Sequence, residues 1–131
     1  MNKYLNEEIS QERTPMESLF MLLIILGLSD RQLVFEEQTK IQAIITNHFP
    51  EHSEQRYQEL LRSTISTIKN LDFNSQTELL KTVSVELKTF YSDKGTLQII
   101  FSELKELLEA DGIVYSLEAQ LLELINKIWN Y

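Results

Sequence analysis

Apolar residues recur along most of the chain with the three- and four-residue spacing of amphipathic helices, and no segment reads convincingly as a strand. The helices predicted by this spacing cover about 15–28, 35–48, 54–70, 76–91 and 96–110, and a sixth follows Ser116. Short connections favour antiparallel packing of neighbouring helices. The sequence therefore predicts an all-α fold, a compact bundle of about six to seven helices.

Several helix boundaries are marked by local sequence. Thr14-Pro15-Met16-Glu17 and Ser75-Gln76-Thr77-Glu78 each have the form of a capping box, which predicts the starts of the first and fourth helices. Ser53 is the predicted cap of the third helix. Pro50 predicts the end of the second, because the residue before a proline avoids the helical region. Residues 1–13 are predicted to be a tail or a short docking helix, and 14–131 one helical domain.

The run from Leu19 to Leu28 is apolar on all sides. A membrane-spanning helix needs about 20 apolar residues, and this run is shorter and lies between Glu17 and Asp30. A helix that is apolar all round is typical of the centre of a core. We therefore expect no membrane insertion and a central position for the first helix.

Charge and composition exclude several classes of function. The net charge of the 131 residues is -8, and the lysines and arginines are scattered, so nucleic acid is not expected as a partner. The chain has no cysteine, which removes disulfides and thiolate metal sites and fits a cytoplasmic protein. It has no phosphate-binding loop, dinucleotide fingerprint or nucleophile elbow, so we do not expect an enzyme.

A helix, an acidic turn and a second helix occur twice in the chain. Residues 28–37 align with 109–118, so that Asp30 matches Asp111 and Glu37 matches Glu118. Each glutamate begins a helical stripe with the spacing i, i+4, i+7 and i+11, which ends at His48 in one copy and at Trp129 in the other. The spacing places both glutamates beside an inward-facing stripe. There a carboxylate needs hydrogen-bond donors or a cation.

The second copy contains Asp111-Gly112-Ile113-Val114-Tyr115-Ser116-Leu117-Glu118. The pattern Asp-Gly-x-hydrophobic-x-x-x-Glu, present in two copies, resembles the TerB-like (tellurite-resistance) family over roughly residues 15–130. The resemblance implies a compact helical domain with internal pseudo-symmetry and a non-enzymatic role in stress responses. It also implies a divalent-metal site. The acids that carry over by position are Asp30, Glu37, Asp111 and Glu118. Arg31 and Leu117 depart from the pattern, because they replace a glycine and a glutamate.

Two interpretations of these four acids follow. In the first, the aspartates accept hydrogen bonds from turn N–H groups and the glutamates interact with helix N-termini, so the acids only stabilise the turns. In the second, they bind a divalent cation, although hard cations prefer more oxygen ligands than one turn offers. We favour the first. His48 and His52 are spaced like a helical zinc pair, but Pro50 interrupts the helix that would align them.

The expected function is that of a small interaction module resembling TerB-like stress-response proteins. Its expected partner is a protein, with a homodimer as one form of it, and no cofactor is required. The alternative is a divalent-metal-binding protein or metal-dependent enzyme that uses the four carboxylates. Trp129 is expected in the core because it continues the inward stripe, while the role of Tyr115 stays open between core and partner surface.

Overall fold

The computed structural model describes residues 13–28, 35–108 and 116–129, apart from the side chains of 35–37, 94 and 116–118. The described chain is helical, as the sequence predicts, and contains no strand. Its helices are α1 (Pro15–Leu28), α2 (Phe35–His48), α3 (Glu54–Lys69), α4 (Phe73–Phe90), α5 (Lys94–Leu108) and α6 (Ser116–Trp129). None of these helices has the length and apolarity to cross a membrane.

Helix α1 is the centre of the bundle. Every residue from Ser18 to Gly27 is buried, and α1 contacts each of the five other helices, most extensively α4. The expectation of a central helix that is apolar on all sides is confirmed. Since α1 is surrounded by the other helices, a polar residue on any side of it would need a hydrogen-bond partner within the core.

The packing has the symmetry that an internal repeat predicts. The α1–α2 unit corresponds in sequence to the α5–α6 unit. Helix α1 contacts α6, and its counterpart α5 contacts α2, while α1 and α5 also contact each other. Exchange of the two units therefore leaves this contact pattern unchanged. The inward stripes are buried at their centres, where Ile41, Ile44 and Ile125 lie, and Trp129 is also in the core, as expected.

Two helix starts follow the predicted caps. The Glu17 side chain accepts from the Thr14 N–H at 2.9 Å, and the Thr14 hydroxyl accepts from the Glu17 N–H at 3.2 Å. This reciprocal pair is a complete capping box. The Ser53 hydroxyl accepts from the N–H of Arg56 at 3.0 Å, so the predicted cap of α3 is also confirmed.

The predicted start of α4 was wrong. The helix begins at Phe73, because the Asp72 carboxylate accepts from the Ser75 N–H at 2.8 Å and caps it. Ser75 is therefore inside the first turn. The Gln76 amide donates to the carbonyls of Ile68 and Leu71, at 3.1 and 3.0 Å, and so ties α4 to the end of α3. Phe90, predicted on the apolar stripe of α4, is 41% exposed.

Polar contacts at Glu86 and at Glu103 join segments that are distant in sequence. Arg13 donates from Nη1 to Glu86 Oε2 at 2.7 Å, and the Ser18 hydroxyl donates to Glu86 Oε1 at 2.9 Å, so the start of α1 is bound to the second half of α4. His48 Nε2 lies 2.5 Å from Glu103 Oε1, which joins the end of α2 to the middle of α5. These contacts hold the start of α1 against α4 and the end of α2 against α5.

Candidate functional site: a groove between the fourth and sixth helices

The four acids predicted as a site fall where side chains are not described. Asp30 and Asp111 lie in the junctions 29–34 and 109–115, outside the described residues. Glu37 and Glu118 lie in the first turns of α2 and α6, and their side chains are also outside the description. Among the side chains that are described, no three histidines or acids are grouped so that they could hold a metal ion.

Helices α4 and α6 are joined at their C-terminal ends. The indole N–H of Trp129 donates to the backbone carbonyl of Ser84 at 2.9 Å. One turn further along α4, the amine of Lys88 donates to the carbonyl of Ile128 at 3.2 Å. Lys88 therefore satisfies one of the carbonyls that a helix leaves without a partner at its C-terminal end. Phe101 of α5 packs edge-on against Trp129, with ring centroids 6.4 Å apart.

Toward their N-terminal ends the same two helices leave an open groove of about 560 Å³ between them. We call it the α4–α6 groove. Its lining is mostly apolar, with Leu121 and Leu124 on α6 and Phe73 on α4. The complete lining is Phe73, Thr77, Ala119, Gln120, Leu121, Glu123, Leu124 and Lys127. Because the early residues of α4 face the early residues of α6, and the late residues face the late ones, the two helices run parallel.

Phe73 places a large exposed apolar side chain at the edge of the groove. Its side chain is 41% exposed at the first position of α4, whereas the neighbouring α6 residue Leu121 is only 3% exposed. Helix initiation does not require an aromatic residue here, since Asp72 supplies the cap. Large apolar side chains exposed next to an apolar groove are typical of binding surfaces.

No role for Phe73 is predicted above, although the sequence contains a signal for it. The predicted helix started at Ser75, which left Phe73 in the preceding loop. If Asp72 is taken as the cap, Phe73 and Thr77 have the spacing i, i+4 and share one face of α4. The competing caps Asp72 and Ser75 are three residues apart, and the choice between them decides whether this face exists.

The lining of the groove contains one acid, Glu123, and one base, Lys127. Asp72, Glu78 and Lys81 are the charged residues around the start of α4, and none of the three is part of that lining. Lys81 donates to Glu78 at 3.2 Å and so belongs to a pair within α4. The Ser75 N–H that donates to the Asp72 carboxylate lowers the pKa of that group below its ordinary value of 3.8.

The groove lies at the end of the bundle where the two acidic junctions meet the described chain. Ser18, early in α1, contacts Glu86, late in α4. Helix α1 therefore packs antiparallel to α4, and its C-terminal end lies near the start of α4. Helix α6 begins at that same end. Leu28 and Ser116, which flank the junctions containing Asp30 and Asp111, are thus placed toward one end of the molecule.

Comparison with known proteins adds no assignment. No protein-family model, no curated protein and no solved structure matches this chain.

Proposed function

We propose that the chain is a non-enzymatic helical interaction module that binds a protein partner through the α4–α6 groove. The observation that carries the proposal is the exposed Phe73 side chain at the edge of an open apolar groove. Full burial of a phenylalanine side chain contributes about 1.5–3 kcal/mol. Phe73 and Leu124 are already partly buried, so a partner that covers both gains part of this contribution from each and an apolar anchor at the centre of an interface.

The resemblance to TerB-like proteins belongs to the same proposal. It suggests a cytoplasmic stress-response role of the tellurite-resistance type, and it agrees with the all-helical bundle and with the pseudo-symmetric contacts of its two units. The groove supplies what the resemblance lacks, which is a specific surface on which a partner would dock.

The alternative is that the four acids of the repeated turns bind a divalent cation, for sequestration or for metal-dependent catalysis. The observation in its favour is that Leu28 and Ser116, which flank the two junctions, are placed toward the same end of the bundle. That arrangement is a precondition for Asp30 and Asp111 to share one ion. Oxygen ligands from several side chains are what hard cations require.

Site-specific photocrosslinking tests the interaction module. A photoreactive phenylalanine analogue at Gln120, in the groove, is compared with the same analogue at Ile99, which is 54% exposed on α5 and does not line the groove. We expect a discrete adduct with one protein, identified by mass spectrometry, from position 120 alone. Equal adducts from both positions, or none from position 120, would reject the groove as the docking surface.

A further inference from the structure

We propose that a recess between α1 and α3 binds a small neutral ligand that is rich in hydroxyl groups, of the monosaccharide or cyclic polyol class. This inference goes beyond the proposed function, because it concerns a small molecule and a surface other than the α4–α6 groove. Three features of the recess carry it: two threonine hydroxyls that the fold does not use, a balance of charge, and a size and apolar floor that suit one sugar ring.

The recess lies where α1 packs against α3 and has a volume of about 210 Å³. Its α3 wall consists of residues between Leu60 and Thr67 that share one face of the helix, and its α1 wall runs from Arg13 to Met21. Pockets for drug-sized ligands have about 300–1,000 Å³, whereas one water molecule takes about 30 Å³. The recess therefore has room for one molecule that is smaller than a drug and much larger than water.

Thr64 and Thr67 line the recess with hydroxyl groups that the fold does not use. A threonine inside a helix commonly donates to the carbonyl four residues earlier, and Thr82 and Thr89 of α4 both do so at 3.0 Å. Within the described part of the chain, the hydroxyls of Thr64 and Thr67 have no hydrogen-bond partner. Thr64 is only 6% exposed. Because buried hydroxyls are nearly always hydrogen-bonded, Thr64 points to a partner from outside the chain.

The charges of the recess are balanced. Its described lining contains one base, Arg13, and one acid, Glu17. Each has an oppositely charged partner, since Arg13 donates to Glu86 at 2.7 Å and Arg56 donates to Glu17 at 3.4 Å. A ligand with a net charge would lose hydration on entering the recess and would meet no excess of the opposite sign. The recess therefore favours a neutral ligand.

The polar groups of the recess match hydroxyls on that ligand. A threonine hydroxyl donates and accepts, the Glu17 carboxylate only accepts, and the Arg13 guanidinium only donates. A ligand hydroxyl can bond to all three kinds of group, because it also donates and accepts. Thr64 and Thr67 are one turn apart on α3, so their Cβ atoms are about 5–6 Å apart, within reach of adjacent hydroxyls on one ring. Met21 and Leu60 add apolar surface on which the C–H face of the ring can pack.

The experiment is an NMR titration of the full chain with ¹³C-labelled methionine and threonine methyl groups. The neutral probes are glucose, galactose and myo-inositol, and the charged counterparts are glucuronate and glucosamine. The methyl groups of Met21 and Thr67 report on the recess, and that of Thr89 on α4 is the internal reference. The reference is needed because polyols at high concentration also act on the whole protein surface by exclusion. The protein variant is Thr64→Val, and Thr89→Val is the matched control.

We expect at least one neutral probe to shift the Met21 and Thr67 methyl signals saturably, with a Kd in the millimolar range, and to leave Thr89 unchanged. Thr64→Val should weaken this binding at least about fivefold, and Thr89→Val should not affect it. The charged counterparts should bind more weakly than the neutral probe. Valine has nearly the shape of threonine, and the Thr64 hydroxyl has no partner among the described residues. Thr64→Val should therefore keep the wild-type melting temperature, which is measured in parallel.

Three outcomes overturn the inference. The first is the absence of a saturable shift at Met21 and Thr67 with every neutral probe up to about 100 mM, a concentration that saturates millimolar sites. The second is tighter binding of either charged counterpart, which contradicts a neutral ligand. The third is equal affinity of the wild type and Thr64→Val, which places the binding outside the recess. The crosslinking experiment at position 120 probes the α4–α6 groove, so its result is independent of these outcomes.

Discussion

Trp129 and Ser84, 45 residues apart in the chain, are joined by a 2.9 Å hydrogen bond from the indole N–H to the backbone carbonyl. The Ser84 hydroxyl in turn donates to the Leu80 carbonyl at 2.7 Å. Trp129 is 1% exposed. This bond joins α4 and α6 near their C-terminal ends, away from the N-terminal ends at which the groove opens.

Replacing Trp129 with phenylalanine should lower the free energy of unfolding by about 1–3 kcal/mol. The variant keeps an aromatic ring against Phe101 but removes the donor to the Ser84 carbonyl and leaves a small cavity. Urea unfolding followed by circular dichroism measures the change, because the chain has one tryptophan and the variant has no indole fluorescence. An unchanged unfolding midpoint would show that the indole hydrogen bond does not contribute to the free energy of unfolding.

Replacing Glu86 with glutamine should lower the free energy of unfolding by about 2 kcal/mol. The Arg13 side chain is 2% exposed, and its guanidinium would lose the negative charge of Glu86 in a poorly solvated position. The Glu86 side chain is itself 24% exposed, which moderates the loss. The measurement is again the midpoint and slope of urea unfolding.

The matched control for Glu86→Gln is Glu78→Gln, which removes the partner of Lys81 in an exposed pair on the same helix. An exposed pair of this kind contributes at most about 0.5 kcal/mol. If both variants lost the same free energy, the burial of Arg13 would not be the cause.

The Tyr57 phenol should ionise at a higher pH than an ordinary tyrosine does. Burial against the Phe20 and His52 rings, together with the negative charge of Glu54, raises the pKa of this phenol to about 12. The folded state thus favours the neutral phenol. Its contribution to stability is complete below the ordinary pKa of 10.0 and is lost as the pH rises toward 12.

Spectrophotometric titration of tyrosinate tests this prediction. In Tyr57→Phe, which keeps the ring packing, the component that ionises last should disappear from the curve while the earlier part is unchanged. The loss of stability between pH 10 and 12 should also be smaller in this variant. A variant that lacks instead an early-ionising component would show that Tyr57 is accessible to solvent.

The sequence predicted the fold well because the fold depends on local signals. The capping box at Thr14 and the uninterrupted apolar run of α1 are each sufficient to locate an element. To predict the α4–α6 groove, one must know whether Asp72 or Ser75 caps α4. Hydrophobic periodicity does not resolve a shift of a few residues at a helix start, yet that shift decides whether Phe73 faces α6.

The repeated acids are a different case, because their chemistry depends on where side chains converge. Spacing places Glu37 and Glu118 in the first turns of two helices, and both turns exist in the structure. Whether their carboxylates contact their own helix starts or share an ion is a relation between two units far apart in the chain. Sequence periodicity contains no information about that distance.

We expect Asp111→Asn/Glu118→Gln to lower the melting temperature in the absence of any metal. These carboxylates are predicted to accept hydrogen bonds from turn N–H groups and to interact favourably with the start of α6. Their amide replacements accept more weakly and have no charge. Differential scanning calorimetry measures the shift. The control is Glu78→Gln/Glu123→Gln, which removes two exposed carboxylates outside the repeated turns.

The wild type and the two double variants also distinguish between stabilised turns and a metal site. A ligand that binds only the folded state raises its melting temperature, so millimolar Ca²⁺, Mg²⁺ and Mn²⁺ are each added to the wild type and to both double variants. Stabilised turns predict no ion-dependent rise in any of them. A rise in the wild type that Asp111→Asn/Glu118→Gln abolishes and the control retains would reject that interpretation. It would assign the repeated turns to cation binding, because general screening of the acidic surface would affect the control equally.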